Sequence, residues 1–174
     1  MVSFCVMTLT THAVVGAAMA SLVPHEPVLG FVLGFASHFA IDSIPHWNEG
    51  RAFMRSVVKN KQDVLQTHIQ NGKDFLHDIA IVLADSLLGF ALATLILFYF
   101  FHVPLFIVLL GAFAGQMPDG LQFVYFKTHW RWMEPLQKFH SAIQKESTNL
   151  LYLLREAGLV AAVCILGIFG VFVL

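Results

Sequence analysis

Long apolar stretches separated by short polar segments make up most of this chain. A helix needs about 20 apolar residues to cross the ~30 Å hydrocarbon core of a bilayer. Five stretches approach or exceed that length, at residues 2–23, 28–44, 75–101, 103–117 and 157–174. None of them alternates apolar with polar residues as the strands of a membrane β-barrel do. The pattern therefore predicts an all-α, polytopic integral membrane bundle with about five transmembrane helices.

Composition agrees with this prediction. The chain has 174 residues, of which 57% are hydrophobic and only 12% are charged, whereas about 25% are charged in a typical soluble domain. This length suits one membrane domain over residues 1–174. The net charge of −1 gives no reason to expect a nucleic-acid partner. Cys5 and Cys164 both lie in apolar stretches, so we expect no disulfide framework.

The basic residues predict how the spans are oriented. All ten Lys and Arg residues fall within residues 51–73 and 127–155, which five spans place on the same side of the membrane. By the positive-inside rule that side is cytoplasmic, with the N-terminus inside. Three tryptophans near membrane boundaries lie on the same side: Trp47, Trp130 and Trp132. We therefore expect a multi-pass protein of the cytoplasmic (inner) membrane, with amphipathic cytoplasmic segments such as a helix beginning near Glu134.

Acidic and imidazole side chains interrupt the second and third apolar stretches. His38 and Asp42 lie one helical turn apart, and Asp78 and Asp85 share a stripe with Asp74 on the next span. An Asp at the centre of a membrane helix costs roughly 2.5–3.5 kcal/mol, so a cation or a proton must offset that cost. We expect four residues to surround this cation or proton at the cytoplasmic boundary of the membrane: His38, Asp42, Asp78 and Asp85.

Four further polar residues are candidates for the same site. His12 lies inside the first stretch, where a hydrogen bond to a neighbouring helix is the alternative role. Asp119 belongs to segment 117–120, which we expect to end the fourth span as a turn. His140 lies on a polar segment, where an ordinary surface histidine is the alternative. His46 follows a proline that disfavours helical geometry, so we expect it to leave the helix and fold back toward the second span.

Four short motifs, in this order, resemble the signatures of bacterial membrane-bound metal-dependent hydrolases, a family distantly similar to zinc-dependent phospholipase C. They are THAVVG at 11–16, SHFAIDSIPHW at 37–47, MPDGLQ at 117–122 and LQKFH at 136–140. The resemblance extends over nearly the whole chain, and His-x3-Asp-x2-Pro-His is its most specific element. It implies catalytic roles for Asp42, His46 and His140. The metal ligands that it and the pattern together indicate are His12, His38, Asp42, Asp78 or Asp85, and Asp119.

Imidazole and carboxylate ligands suit zinc, with manganese or iron as alternatives. The candidate ligands outnumber the four that one zinc ion uses, so we expect one or two ions. The predicted function is a phospholipase C-like, metal-dependent hydrolase acting on a phosphate-bearing lipid, a phosphodiester or phosphomonoester, from the cytoplasmic leaflet. Membrane lipids are thus the expected partners. A carrier of divalent cations or protons and a non-catalytic, metal-stabilised membrane scaffold remain alternatives.

Overall fold

The structure, a computed structural model, describes residues 9–44, 46–47, 55–58, 63–143, 146–147, 158 and 161. In this part of the chain the fold is all-α, as the sequence predicts. The α-helices are α1 (Leu9–Ser21), α2 (Pro27–Asp42), α3 (Lys73–Ala93), α4 (Leu105–Thr128) and α5 (Glu134–Ile143). A π-helical segment, Thr94–Phe100, continues α3 without a break. The polar helix expected near Glu134 is α5.

Four two-residue strands join the segments between the helices. β1 (His46–Trp47) pairs in parallel with β4 (Glu146–Ser147). β2 (Val57–Val58) pairs antiparallel with β3 (His68–Ile69), both in the connection from α2 to α3. These strand pairs connect the polar segments to one another, and α-helices make up most of the described structure.

Two helices in the described part of the chain are long and apolar enough to cross a membrane. They are α3 with its π-helical continuation, at 28 residues, and α4, at 24 residues. α2 is apolar but shorter, and the described part of the first predicted span is the 13-residue α1. The fifth predicted span, 157–174, lies outside the described residues apart from 158 and 161. Length and composition thus support two of the five expected crossings.

The surface of α3 is unusually apolar. Leu76, Leu83 and Leu87 are between 56% and 68% exposed and lie seven and four residues apart, on one face of the helix. Leu95 and Tyr99 continue the exposed apolar surface along the π-helical segment. Soluble monomers rarely expose a contiguous apolar surface of this kind, and hydrocarbon chains would cover it without cost.

α1 lies at the centre of the bundle and packs against α2, α3 and α4. Glycines make the closest approaches. A Cβ atom on Gly115 of α4 would lie 2.2 Å from the His12 carbonyl oxygen, and one on Gly16 would lie 2.4 Å from the Gly111 carbonyl oxygen. On α2, a Cβ atom at Gly34 would lie 3.1 Å from that same Gly111 oxygen. The three helices therefore meet in backbone contact, as small residues allow in membrane bundles.

An apolar core fills one end of this bundle. Because Gly115 contacts His12 while Gly111 contacts Ala20, α1 and α4 run antiparallel. The core residues follow His12 along α1 and precede Gly115 along α4, so they lie at the end away from both. They are Ala13, Val14, Ala17, Ala18, Ala20, Ala93, Leu97, Val103, Ile107, Val108 and Ala112.

The fourth apolar stretch does not end where the sequence indicated. We expected a turn over residues 117–120, but α4 continues through Pro118 to Thr128 and ends at His129, whose φ of 51° is left-handed. A proline removes only its own N–H from the helix ladder, so helix can resume after it when neighbouring helices hold the segment. Asp119 consequently projects from a helix and not from a turn.

Candidate metal centre

Five polar side chains meet at the end of the bundle opposite the apolar core. They come from four different helices: His12 from α1, His38 and Asp42 from α2, Asp119 from α4 and His140 from α5. The three histidines and Asp42 are at most 3% exposed, whereas Asp119 is 30% exposed. The cluster is thus closed to its surroundings except on the side of Asp119.

The glycine contacts explain why these side chains meet. His12 precedes Gly16 by four residues, and Asp119 follows Gly115 by four. His38 follows Gly34 by the same interval. Residues four apart lie on the same face of a helix, one turn on. Backbone contact at the glycines therefore brings the next turn of each helix within side-chain reach of the others.

Asp42 is contacted by all three imidazole rings. Its Oδ2 atom lies 2.9 Å from Nε2 of His140 and 3.3 Å from Nε2 of His38. Its Oδ1 atom lies 3.4 Å from Nε2 of His12. Asp119 approaches the same three nitrogens more loosely, at 3.7 to 3.8 Å. All three Nε2 atoms therefore point into the space between the two carboxylates.

A backbone carbonyl fixes the proton on His38. Its Nδ1 atom lies 2.8 Å from the carbonyl oxygen of Gly115, which can only accept, so Nδ1 donates this bond. In the neutral ring Nε2 then carries a lone pair, and that lone pair faces Oδ2 of Asp42 and, at 3.0 Å, Nε2 of His140. Lone pairs that face one another need a hydrogen atom or a metal ion between them: a proton on Nε2 of His140, a second proton on His38, or a bound metal.

The spacing of the ligand atoms fits a metal ion. Zinc bonds of about 2.0–2.2 Å place adjacent ligand atoms about 3.0 Å apart at a right angle and about 3.4 Å apart at the tetrahedral angle. The separations around Asp42, from 2.9 to 3.4 Å, lie at these values. Two ligand groups share His38: one with His12 and Asp42, the other with Asp119 and His140. These buried groups can hold a metal ion.

Asp78 and Asp85 belong to neither ligand group, so the expected quartet with His38 and Asp42 does not assemble among the described residues. The Oδ2 atom of Asp78 accepts hydrogen bonds from the backbone N–H of Ser56, at 2.8 Å, and from its hydroxyl, at 2.6 Å. Oδ1 of Asp85 accepts the hydroxyl of Thr10 at 2.6 Å. Each carboxylate therefore has protein donors as partners in this structure.

His46 lies in β1, where its backbone pairs with Glu146. Its side chain is outside the described part of the structure, so its expected return toward Asp42 stays a prediction. Asp74, the outermost member of the predicted acidic stripe, is exposed in the first turn of α3.

Sequence reasoning missed Gln137, which is fully buried on α5 three residues before His140. Within the described part of the chain, neither its amide oxygen nor its amide nitrogen has a hydrogen-bond partner. The interval between these two polar residues was the available signal, because residues three apart share a helix face. This interval was not taken as a sign of burial because the composition of the segment is typical of a solvent-exposed helix.

In comparisons with protein-family models, curated proteins and solved structures, nothing matches this chain. The resemblance to membrane-bound metal-dependent hydrolases therefore stays a prediction. The geometry of the cluster and the apolar surface of the bundle are the features that bear on function.

Proposed function

We propose that this protein is a membrane-embedded, metal-dependent hydrolase that acts on a phosphate-bearing lipid from the cytoplasmic leaflet. One or two zinc ions, or manganese or iron in their place, would occupy the cluster. The observation that carries the proposal is the convergence of three imidazole Nε2 atoms on Asp42 and Asp119. Two of the helices that carry the ligands, α2 and α4, expose large apolar side chains such as Val28, Phe106 and Phe113, which favours a substrate held in the bilayer.

The residues of the cluster have separable roles in such a reaction. A bound divalent metal would supply Lewis acidity, polarising a phosphoryl oxygen and making water a better nucleophile near neutral pH. His12, His38 and Asp42 would hold the ion from the closed side of the site, and His140 would reach it from α5. Asp119 is the partly exposed member, so its carboxylate is placed to orient an incoming water and to accept a proton from it.

The surroundings of the cluster favour an anionic lipid. Arg131 is exposed just beyond α4, and Arg55 is exposed where its backbone N–H binds Asp78 near the start of α3. Both positions belong to the end of the bundle that carries the cluster. A basic residue near a membrane surface attracts anionic headgroups by about 1 kcal/mol. Trp130 and Trp132 are 51% and 69% exposed beside Arg131, as aromatic side chains at a membrane interface are.

The opposite end of the bundle argues against the carrier. A transport path needs polar groups that continue across the membrane. The described apolar core beyond His12 and Gly115 is made of Ala, Val, Leu and Ile, and a buried polar side chain at that end, Ser21, donates its hydroxyl to the carbonyl oxygen of Ala17 in its own helix. A site served from one side of the membrane fits this arrangement better than a path through it.

The proposal is tested by replacing Asp42. Asp42→Asn should lower turnover by at least about 100-fold, because the variant loses a charged ligand contacted by all three histidines. Asp74→Asn is the matched control: it removes an exposed carboxylate at the edge of α3 and should change turnover little. The assay is release of phosphate or phosphorylated headgroup from vesicles containing phosphatidylethanolamine, phosphatidylglycerol and an isoprenoid phosphate.

Metal is added back to chelator-treated protein in this assay. Product that appears only with metal, and that Asp42→Asn does not form, supports the hydrolase. No metal-dependent product from any of these lipids contradicts it and leaves the carrier or the scaffold. Counterflow of divalent cations in sealed vesicles then separates these two.

A further inference from the structure

Gln137 is a buried amide with nothing to bind in the described part of the structure. It is 0% exposed, and neither Oε1 nor Nε2 makes a hydrogen bond there. A buried polar group left unsatisfied costs about 1–3 kcal/mol, and most such groups in proteins have a partner. The amide at this position on α5 therefore requires a partner, which a buried polar group on the same face of the helix can supply.

His140 also has a buried polar atom without a partner in the described structure. Its Nδ1 atom is buried and, within the described residues, also lacks a hydrogen-bond partner. The other ring nitrogen, Nε2, faces Asp42 at 2.9 Å and His38 at 3.0 Å. If Nε2 gives its lone pair to a metal ion, the ring proton must be on Nδ1, which then requires an acceptor.

Gln137 is placed to be that acceptor. Side chains three residues apart on a helix are neighbours, with Cβ atoms about 5–6 Å apart. Both side chains are fully buried, so they share the inner face of α5. His38 already shows the equivalent arrangement, because its Nδ1 donates to the Gly115 carbonyl oxygen while Nε2 faces the cluster.

We propose that Gln137 is a positioning residue for His140: its Oε1 accepts the Nδ1–H of His140 when the site is loaded. The inference rests on the proposed metal site. Two of the three histidines would then be held by an oxygen acceptor, His38 by a backbone carbonyl and His140 by a side-chain amide. Such outer partners fix the tautomer and the ring orientation of a histidine ligand.

The test measures zinc affinity by competition with a chelator, using the full chain in detergent micelles. Gln137→Leu should weaken zinc binding about 10- to 100-fold, the usual effect of losing an outer partner of a histidine ligand. Gln137→Glu should keep or strengthen binding, because a carboxylate is a stronger acceptor than an amide. The visible spectrum of the cobalt-substituted protein should change in Gln137→Leu.

Gln116→Leu is the control. It also removes a buried amide, but one whose Oε1 accepts the Ser86 hydroxyl on the α3 side of α4, so zinc affinity should stay at the wild-type value. Zinc affinity unchanged in Gln137→Leu would overturn the inference while leaving the metal site standing. Turnover lost at unchanged affinity would overturn it too, and would place the amide against substrate.

Two further outcomes bear on the same inference. A wild-type chain that binds neither zinc nor cobalt overturns the proposed function together with this inference. If Gln137→Leu does not fold, Gln137→Glu decides: weaker binding than the wild type contradicts an acceptor role, and equal or tighter binding supports it.

Discussion

A single proton position accounts for much of the chemistry at the cluster. The Gly115 carbonyl oxygen keeps the His38 proton on Nδ1 and turns the Nε2 lone pair inward. Asp42 then meets three ring nitrogens in a buried environment. The desolvation of a carboxylate and imidazoles in this environment is offset by hydrogen bonds among them or by a bound cation.

Asp78 serves the fold in this structure, which gives a prediction for Asp78→Asn. The amide replaces an oxygen that accepts from Ser56 with a group that donates, so about 1–3 kcal/mol of stability should be lost. Bound metal per chain should stay unchanged, because Asp78 is in neither ligand group. Thermal unfolding and metal analysis of the same preparation check both parts. Metal lost without a change in stability would return Asp78 to the site, as the sequence indicated.

At the residue scale, helical spacing could show which polar residues share a face only where they lie close along the chain. His38 and Asp42 are one turn apart, so their shared face was predictable. His140 could not be assigned in that way, because the polarity of α5 does not reveal which of its polar residues face inward. Asp85 accepts a hydrogen bond from the Thr10 hydroxyl, which is 75 residues away in sequence. The sequence does not reveal a partner at that separation, so Asp85 was assigned to the metal site.

The helices place the ligands through their glycines, which gives a prediction for Gly115→Ala. Its new Cβ atom would lie 2.2 Å from the His12 carbonyl oxygen, so α1 and α4 must separate, at a cost of about 1–3 kcal/mol. Zinc affinity should fall as well, since His12 and Asp119 move apart. Denaturation midpoint and zinc affinity are the measurements.

Gly120→Ala, on the same helix, is the control for that substitution, because no atom of the described residues other than its own neighbouring backbone lies within 4 Å of its Cβ position. Alanine is the better helix former by about 1 kcal/mol, so this variant should be no less stable than the wild type. Equal behaviour of the two alanine variants would contradict the importance of the close contact at Gly115.

The apolar stretches predicted which segments are helical more accurately than they predicted where each helix begins and ends. The expected 28–44 and 75–101 overlap closely with Pro27–Asp42 and with Lys73–Phe100. The expected 103–117 ends eleven residues before the end of α4 at Thr128, because Pro118 was taken as a stop. A proline ends a helix only when no neighbouring group stabilises the next helical turn. The sequence does not show which turns the neighbouring helices stabilise.

One end of the molecule is polar and carries the cluster, and the other end is apolar. This difference predicts how the molecule is oriented in the membrane. In a chain with Cys5 and Cys164 replaced by serine, a cysteine at Lys138 should react with an impermeant thiol reagent only after cells are opened. A cysteine at Glu26, between α1 and α2, should react in intact cells. This result is expected because basic segments stay on the cytoplasmic side. Reaction of the Lys138 cysteine from outside would contradict the orientation.

The most direct test of the metal centre is the metal content of the protein purified without chelators, determined by elemental analysis beside His38→Ala. The wild-type chain should carry about one to two transition-metal ions. His38 belongs to both ligand groups, so His38→Ala should lose most of this metal while it still elutes as a folded, monodisperse species. A wild-type protein that is folded, free of metal and unable to take up zinc would contradict the metal centre.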